Sequence, residues 1–490
     1  MAAVPDQEGR DMAEHDVMED VDPMVRRSYE DAVNLLNTTQ SGFKAVGART
    51  YTAVRERDDL ILMEKWLGYI GYSPADINRL NVIHVAGTKG KGTTCAFVNA
   101  ILQRYHDTGQ PPRKIGLYTS PHLVSVRERI RINSEPLSEE LFARYFFEVW
   151  LAFEEGVDVA IYEVGVGGEF DSTNIVPKPL AVAITTLGID HQTNLGDTIE
   201  QIAWHKAGIM KTAVKAGAFT VDQVPAAMEV LKQRAEEKGV ALTVLRGSPA
   251  VDKIRLRPNE DFQKKNAQLA VELAYAALSH LNVHVQNEPE QLPDEFVYGL
   301  ENVTWRGRCE VKITGNQEWC LDGAHNEPSL QVASRWFSKL ERESPMESIL
   351  LFNQQSTRAA TPLLETIHQV LCKENGVKFS RAVFCAGVTY KDMTFKPDFV
   401  NRNIDPKALA SLEAQHIFAN AWHRLEPGSE VDVLPSIQHA IDRIREVIGD
   451  RHVRVLVTGS FHLVGALCAS WREARALPWP ARRGRDSRTS

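Results

Sequence analysis

The sequence lacks the cysteine patterns that mark disulfide-rich and zinc-binding proteins. Only six cysteines occur in 490 residues. No two of them have C-x-x-C spacing; they are Cys95, Cys309, Cys320, Cys372, Cys385 and Cys468. We therefore expect no disulfide framework and no structural zinc site, and the pattern fits a reducing compartment. Most of these thiols should pack as small buried hydrophobic groups.

Basic residues are also fewer than acidic ones. The chain carries 56 lysines and arginines against 64 aspartates and glutamates, which gives a formal net charge of −8. A general nucleic-acid binder would present a basic face, so we expect no nucleic-acid partner. Phosphate sites are local, however, and the overall charge excludes none of them.

Targeting signals and long apolar runs are missing as well. Residues 1–24 are acidic and polar, without the apolar core of a secretory signal or the Arg-rich pattern of a transit peptide. The longest apolar stretch, residues 453–471, is interrupted by Arg454, Gly459, Ser460 and His462. This favours a strand, a turn and a helix over a membrane span. We expect no integral membrane span.

What the chain does have is a repeated alternation of short apolar runs with amphipathic segments. From about residue 81 to residue 220 this alternation indicates a parallel sheet covered by helices on both faces. A second alternating set begins after a Pro-containing acidic segment at 287–295. The sequence therefore predicts an α/β fold of two domains. The predicted limits are a disordered segment at 1–24, domains at 25–300 and 301–478, and a disordered tail at 479–490.

A Gly-rich turn with two lysines joins the first strand to a helix. Residues 82–98 read VIHVAGTKGKGTTCAFV. In such a turn backbone N–H groups and the helix N-terminus hold phosphate, and a lysine reaches the β- and γ-phosphates. The strict P-loop pattern would need glycine at Val85 and a hydroxyl at Gly92, but the hydroxyl comes one place later, at Thr93. Given the flanking strand and helix, we interpret the turn as a variant phosphate loop rather than a chance Gly/Lys turn.

Polar residues follow other strands of the predicted sheet. Ser120, Glu163 and the pair Asp190-His191 stand at carboxyl ends of strands, where the ligands of such sheets gather. Oxygen ligands suit magnesium, for which histidine is atypical. Each residue also has a structural alternative as a turn, an ion pair or polar surface. Together, beside a phosphate loop, they favour a magnesium site.

Two further features are weaker signals of function. The second Gly-rich turn, GVGGEFDSTN, is either a tight loop or a substrate or ion site through Asp171 and Asn174. Lys206 lies on a predicted amphipathic helix, and composition alone predicts that it is an exposed lysine.

The second domain offers a group of charged residues of its own. WRGRCEV supplies Arg306 and Arg308, and CLDGAHN supplies Asp322 and His325 directly after a strand. Arg308 and Asp322 could clamp a nucleotide across a cleft, or they could form a structural ion pair. The sequence leaves both alternatives open.

Six motifs, in order, resemble folylpolyglutamate synthase, a family of the Mur ligase superfamily: HVAGTKGKGT, YTSPHLVSVRERIRIN, YEVGVGGEFDSTN, TTLGIDHQTNLGDTIEQIAWHKAGI, WRGRCE and LDGAHN. The resemblance extends from about residue 28 to residue 470. LLFNQQSTR, VFCAGVTYKDMTFKPDFVNRNID and VLVTGSFHLVG resemble its eukaryotic branch. The segment between Trp150 and Val157 looks shorter than in eukaryotic relatives.

The resemblance implies a P-loop-type ATPase domain with a parallel sheet and a smaller, C-terminal Rossmann-like glutamate-ligase domain. It also implies ATP-dependent addition of L-glutamate to the γ-carboxyl of a folate tail through an acyl phosphate. Lys91, His191 and Lys206 would be catalytic, and Lys206 matches a lysine that is carbamylated in relatives. Magnesium would be held by Ser120, Glu163 and His191. The implied nucleotide contacts are Gly87, Thr88, Lys89, Gly90, Lys91, Gly92, Thr93, Asn266, Arg308, Asp322 and His325, with Gln263 beside Asn266.

The same resemblance sets expectations about cofactors and partners. It implies ATP with one or two magnesium ions, leaves room for a monovalent cation, and makes folate and L-glutamate the partners of a monomer. We expect a cytoplasmic protein, with a mitochondrial form open through another start site. Two alternatives remain: a dihydrofolate synthase, which joins glutamate to dihydropteroate, and a nucleotide-binding homologue with impaired or no ligase activity.

Overall fold

The structure, a computed structural model, describes residues 28–38, 53–148, 156–354, 357–392, 397–399 and 410–473. The predicted terminal segments at 1–24 and 479–490 lie outside the described residues, as does most of the stretch between Trp150 and Val157. Within the described ranges, no helix has both the length and the apolar character that crossing a bilayer requires.

The first part of the chain forms an eight-stranded sheet with the order β4-β3-β2-β5-β1-β6-β7-β8. All neighbours are parallel except β2–β3 and β3–β4, which are antiparallel. The strands are β1 (Val82–Ala86), β2 (Ile115–Tyr118), β3 (Ile130–Ile132), β4 (Glu135–Pro136), β5 (Val159–Glu163), β6 (Ala181–Ile184), β7 (Ala218–Val221) and β8 (Leu242–Leu245). The central strands are fully buried, as expected of a parallel sheet covered on both faces.

Helices flank this sheet. They are α1 (Tyr29–Thr38), α2 (Ala53–Tyr69), α3 (Pro74–Ile77), α4 (Lys91–Asp107), α5 (Glu139–Glu148), α6 (Gln192–Leu195), α7 (Ile199–Ala207), α8 (Pro225–Glu237), α9 (Pro249–Asp252), α10 (Asp261–His280) and α11 (Asp294–Asn302). Short 3₁₀ turns occupy Asn78–Leu80, Val126–Arg129 and Ser172–Ile175.

The second part forms a six-stranded sheet with the order β13-β12-β11-β14-β10-β9, parallel except for β9–β10. Its strands are β9 (Glu310–Thr314), β10 (Gln317–Leu321), β11 (Glu347–Phe352), β12 (Phe379–Cys385), β13 (Glu430–Leu434) and β14 (Val453–Thr458). Its helices are α12 (Glu327–Glu343), α13 (Thr357–His368), α14 (Glu413–Leu425), α15 (Ile437–Ile448) and α16 (Phe461–Glu473), with a π-helix at Gln369–Lys373 and a 3₁₀ turn at Pro397–Phe399.

Strands are present where the alternation of apolar runs predicted them in both halves of the chain, and residues 453–473 form the predicted strand, turn and helix. The two-domain α/β fold class is therefore confirmed. The prediction missed β4, β8, β9 and β13, which form the four edges of the two sheets. It also missed β3, which joins β4 to the sheet. These strands are partly exposed, so their sequences carry no continuous apolar run. The predicted boundary near residue 300 stays a prediction.

Helix α4 is the element that fixes the phosphate loop. Its buried residues Phe97 and Ile101 pack in one core with Ile83 and Val85 of β1. Because the strand before the loop and the helix after it share a core, the ends of the loop are held in place. The loop itself is left at the carboxyl edge of the sheet.

Candidate functional site

The Gly-rich turn adopts the geometry that a phosphate loop needs. The N–H groups of Thr88 and Lys89 both donate to Thr186 O, at 3.1 Å. Gly87 has φ +144°, and a Cβ there would stand 1.8 Å from Thr185 Oγ1, so only glycine fits without displacing Thr185. Helix α4 then begins at Lys91 with Gly90 at its N-cap. A helix N-terminus of this kind presents free N–H groups to an anion.

Asn266 of α10 lies directly against this turn. Gly90 has φ +94°, and a Cβ there would lie 2.1 Å from Asn266 Oδ1. Asn266 is buried, and its Nδ2 donates to Gln263 Oε1 at 2.9 Å. The structure thus brings Gln263 and Asn266 to the loop, although they follow Gly90 by 173 and 176 residues in the sequence.

Glu163 and Ser120 meet beside the start of α4. The Ser120 N–H donates to Glu163 Oε2 at 2.9 Å, and Glu163 is 5% exposed. Burial raises the pKa of Glu163, while Lys91 and the Ser120 N–H act in the opposite direction. A buried carboxylate at a strand end, beside a phosphate loop, provides the hard oxygen donor that magnesium prefers. The donor set therefore fits this ion.

Asp190 and His191 line the other side of the loop. Lys89 Nζ donates to Asp190 Oδ2 at 3.3 Å. His191 has a left-handed backbone, with φ +52°, and its N–H donates to Asp190 Oδ1 at 2.9 Å. Burial lowers the pKa of His191, Asp190 opposes this, and Lys206 and Lys91 add to the lowering. The ring is therefore favoured as a neutral nitrogen ligand at neutral pH.

Lys206 is buried, so the expectation from composition alone that it is exposed is wrong. The side chain is 2% exposed, and Nζ donates to Gly87 O at 2.9 Å. Burial lowers the pKa of Lys206 to about 7, and the nearby positive charge of Lys91 adds to this effect. The amphipathic sequence of α7 suggested that this side chain faces solvent. In the structure, however, α7 packs against residues at the carboxyl ends of β1 and β6.

The second Gly-rich turn uses its polar groups internally. Asp171 accepts hydrogen bonds from Val166 N at 2.9 Å and Thr173 N at 3.0 Å. Asn174 Nδ2 donates to Glu169 O at 2.9 Å. Of the two interpretations, these bonds favour the tight loop.

The second sheet supplies Arg308, Asp322 and His325. Asp322 is buried and accepts hydrogen bonds from Cys309 N at 2.8 Å and Ala324 N at 2.9 Å. The Arg308 guanidinium lies over the Phe461 ring at 4.8 Å. Burial raises the pKa of Asp322, and the Arg308 charge opposes this. The two side chains interact electrostatically, but no contact within 4.0 Å joins them among the described residues. The alternative that Arg308 and Asp322 form a direct structural ion pair is therefore excluded.

His325 connects the second sheet to the phosphate loop. Its Nδ1 lies 3.0 Å from Gly323 O. Burial lowers the pKa of His325, and the charges of Lys89 and Arg308 add to the lowering. His325 therefore lies within electrostatic reach of both a loop lysine and an arginine of the second sheet, so the two parts of the chain face one another here.

Trp305 was not singled out from the sequence. Its Cζ2 stands 3.4 Å from the point where a Cβ of Gly92 would lie, and Glu163 Oε2 is 3.3 Å from the same point. The indole therefore lies beside the proposed magnesium ligand. Trp305 belongs to the motif WRGRCE, but, unlike the arginines of this motif, it carries no charge that would indicate a nucleotide.

Comparison with known proteins identifies the family. The Mur ligase middle domain matches residues 85–280, and the dihydrofolate synthetase C-terminal domain matches residues 308–470. The folylpolyglutamate synthase of Neurospora crassa is 45% identical over 92% of this chain and 93% of its own length. That of Saccharomyces cerevisiae is 41% identical over 91% of this chain and 87% of its own length.

A solved structure shares the fold. Mycobacterium tuberculosis folylpolyglutamate synthase complexed with ADP superposes with a TM-score of 0.62 at 22% identity, covering 90% of this chain and 99% of that one. At that level of identity the likeness concerns the fold alone. The sequence relatives carry the assignment, and by their identity and coverage the chain belongs to the folylpolyglutamate synthase family.

Proposed function

We propose that this protein is an ATP-dependent ligase that adds L-glutamate to the γ-carboxyl of a folate or folate polyglutamate. The observation that carries the proposal is the convergence of the phosphate loop with buried Glu163 at one sheet edge, in a chain that is 45% identical to a folylpolyglutamate synthase. The name of that relative supplies the substrate class. Small-molecule partners fit a site built from strand ends and loops.

The reaction has two steps. A carboxylate oxygen of the folate attacks the γ-phosphorus of ATP, ADP leaves, and an acyl phosphate forms. The amine of L-glutamate then attacks the acyl carbon, the amine proton is lost, and phosphate leaves with formation of an amide. Phosphoryl transfer of this kind depends mainly on positioning and charge neutralisation.

The loop side chains supply that neutralisation. Lys91 begins α4 beside Glu163, and we assign it to the transferring phosphate. Gly87 to Thr93 would hold the remaining phosphate oxygens through their N–H groups. Asn266, Arg308, Asp322 and His325 are assigned to the nucleotide as well. Asn266 adjoins Gly90, Arg308 and His325 interact electrostatically with Lys89, and Asp322 interacts with Arg308.

Ser120, Glu163 and His191 would hold magnesium. When bound, the ion would neutralise charge on the phosphate oxygens and orient them. Glu163 is already positioned for this by the Ser120 N–H, which holds one of its carboxylate oxygens. The Trp305 ring lies in the same region as Glu163, where it would help to shelter an acyl phosphate from water.

We propose further that Lys206 is carbamylated. A buried ammonium close to Lys91 and Lys89 lies in an unfavourable environment. The neutral amine can attack CO2, forming an N–C bond and releasing a proton, which converts the side chain into an anion. That anion could hold a second magnesium ion, as it would in relatives.

Carbamylation predicts a specific label. Protein equilibrated with ¹³C-bicarbonate should show one carbamate carbon resonance by NMR, and its intensity should rise as the pH passes 7, because only the neutral amine reacts. The Lys206→Ala variant should lack the resonance. Lys211→Ala is the matched control, because burial also lowers the pKa of Lys211, and this variant should keep the label. An unlabelled wild-type protein would contradict the assignment.

Dihydrofolate synthase is a second candidate, favoured by the family description that matches residues 308–470. The discriminating experiment measures ADP formation with purified protein, ATP, magnesium and L-glutamate. Tetrahydrofolate, its polyglutamates and dihydropteroate are offered separately. We expect turnover with the folates. Turnover only with dihydropteroate would establish the second candidate. Nucleotide binding without turnover on any substrate would establish an inactive homologue.

Three finer expectations stay predictions of the same proposal. We expect a monomer, a cytoplasmic location with a mitochondrial form open, and room for a monovalent cation.

A further inference from the structure

Three side chains of the kinds that bind metal ions converge in the second domain, and none of the roles proposed above uses them. They are His368 at the end of α13, Cys372 in the π-helix that follows, and Glu426 at the C-cap of α14. An imidazole nitrogen, the thiol sulfur and a carboxylate oxygen all lie within 4.8 Å of one another. We refer to these three residues as the His-Cys-Glu cluster.

The local sequence brings two of the three side chains together. His368 and Cys372 are four residues apart, a spacing that places side chains on one face of a helix. The chain changes here from an α-helix to a π-helix at Gln369–Lys373. Turns of this kind are rare and occur frequently at functional sites. The spacing therefore presents the imidazole and the thiol to the same neighbouring element, the end of α14.

The third side chain comes from a segment far along the chain. Glu426 follows Cys372 by 54 residues, and its backbone N–H donates to Trp422 O at 2.8 Å. The Trp422 ring is buried and meets the His368 ring edge-on, with the ring centroids 6.2 Å apart. The packing of α13 against α14 therefore fixes the imidazole and the carboxylate relative to one another.

The imidazole and the carboxylate of the cluster lack close partners. His368 is 6% exposed, and its Nε2 lies 3.4 Å from Glu426 Oε2, which is longer than an ordinary N–H···O hydrogen bond. Within the described part of the chain, no lysine or arginine forms an ion pair with Glu426. The Cys372 thiol donates to the same carboxylate. Because a buried polar group without a close partner is unfavourable, a cation between the nitrogen and the oxygen would satisfy both.

The donor types select the metal. Zinc binds thiolate, imidazole and carboxylate, whereas magnesium takes oxygen ligands. In a tetrahedral zinc site with bonds of about 2.0–2.3 Å, ligand atoms lie about 3.3–3.8 Å apart. The 3.4 Å between His368 Nε2 and Glu426 Oε2 fits this geometry, and Cys372 Sγ, within 4.8 Å of both atoms, needs only a small shift. Three protein ligands leave a fourth position for water.

The cluster lies at the opposite edge of the second sheet from the residues assigned to the nucleotide. Cys372 comes before β12 and Glu426 before β13, and these strands are parallel neighbours, so the cluster is at their amino ends. Asp322 and His325 follow β10, which has the same direction through β14 and β11, so they are at the carboxyl ends. A metal ion in the cluster would therefore act on the structure of this domain and not on the phosphates.

On these grounds we infer that the His-Cys-Glu cluster is a zinc site of the second domain. Zinc bonds to His368 Nε2, Cys372 Sγ and a carboxylate oxygen of Glu426, and the thiol loses its proton to solvent as the sulfur–zinc bond forms. The ion joins the π-helix to the end of α14 and stabilises the folded protein. The absence of C-x-x-C spacing led us to expect no structural zinc site, but a site with a single cysteine has no such spacing. The inference is independent of the proposed ligase activity.

The test uses cobalt(II), which substitutes for zinc and shows a sulfur-to-metal charge-transfer band when a thiolate binds it. Full-length protein freed of metal with a chelator should bind one equivalent of cobalt with this band in excess magnesium, and one equivalent of zinc should displace it. Cys372→Ser should lose the band and bind zinc about a hundredfold more weakly, since even a change beside a metal ligand costs roughly ten- to a hundredfold. Zinc should raise the temperature of unfolding of the wild-type protein but not of this variant.

Matched variants separate a built site from general attraction to thiols and carboxylates. Cys309→Ser removes the other partly exposed thiol and should keep the band. Glu426→Gln should weaken zinc binding, whereas Glu374→Gln, which removes an exposed carboxylate that follows the π-helix, should not. Thermal unfolding of each metal-free variant verifies that the fold is intact, and Glu426→Gln keeps the test decisive if Cys372→Ser does not fold.

The contrary results are equally specific. A wild-type protein without the charge-transfer band, or a band that persists in Cys372→Ser, would overturn the inference. Zinc that binds in several equivalents with the same affinity in every variant would be an adventitious ion only. Equal weakening in Glu374→Gln and Glu426→Gln would show that surface charge attracts the metal, and the three side chains would then be partners of one another.

Discussion

Replacing Lys91 with alanine should lower the rate of glutamate-dependent ADP formation by about a thousandfold, the effect of removing a group that stabilises transition-state charge. Lys91 begins α4 and acts electrostatically on Glu163, Lys206 and His191, so it lies at the centre of the site. The measurement is single-turnover ADP release with a folate, magnesium and L-glutamate. The temperature of thermal unfolding should change little, because the side chain is not part of the hydrophobic core.

Lys232→Ala is the matched control for this change. Lys232 is an exposed lysine of α8, on the outer side of a helix that contributes no residue to the site. Its loss should leave the rate within about twofold, as expected for a surface substitution. A Lys91→Ala protein that turned over at the wild-type rate would remove Lys91 from phosphoryl transfer and would direct attention to Lys89.

The sequence predicted the inner strands of both sheets because these strands are buried on both faces. Val82–Ala86 and Ala181–Ile184 are continuous apolar runs with no exposed residue, and the Gly-rich turn is local in sequence. The carboxyl-end rule predicted that Ser120, Glu163 and Asp190 lie at one edge of the sheet, and in the structure they lie beside the phosphate loop; their roles stay predictions. Short, contiguous signals of this kind need no knowledge of tertiary contacts.

The contacts that could not be predicted are those between distant segments. Lys206 has the sequence surroundings of a surface helix, and only the packing of α7 against the sheet places its Nζ on Gly87 O. Similarly, Trp305 and Asn266 reach the loop from segments far along the chain. No periodicity in the sequence encodes which side of a helix faces another element when both are amphipathic.

The positively charged side chains of the site should make the stability of the protein depend on bound nucleotide. Burial lowers the pKa of Lys89, and the charges of Lys91 and Arg308 add to this lowering, so both cations repel Lys89. A bound triphosphate would bring negative charge to all three, and the burial of Lys89 strengthens that attraction. Binding would thereby relieve the repulsion that acts in the protein without its ligand. Nucleotide binding should therefore raise the temperature of unfolding.

Glu163→Gln should separate the role of the carboxylate in catalysis from its role in the fold. The amide keeps an oxygen that can accept the Ser120 N–H but loses the negative charge. Because magnesium prefers charged oxygen ligands, we expect ADP formation to fall at least a hundredfold, and the magnesium concentration for half-maximal rate to rise. The measurement is the rate as a function of magnesium at saturating ATP.

The stability of the same variant makes the prediction specific. Burial raises the pKa of Glu163, which means that the ionised form is disfavoured by its surroundings, so a neutral amide should cost the metal-free protein little free energy of unfolding. Glu272→Gln is the matched control: burial also raises the pKa of this carboxyl, but it lies on α10 outside the site and should leave the magnesium dependence unchanged. If Glu163→Gln instead unfolded easily while its magnesium dependence stayed normal, the carboxylate would be a structural partner of Lys91, and the metal would have to be held elsewhere.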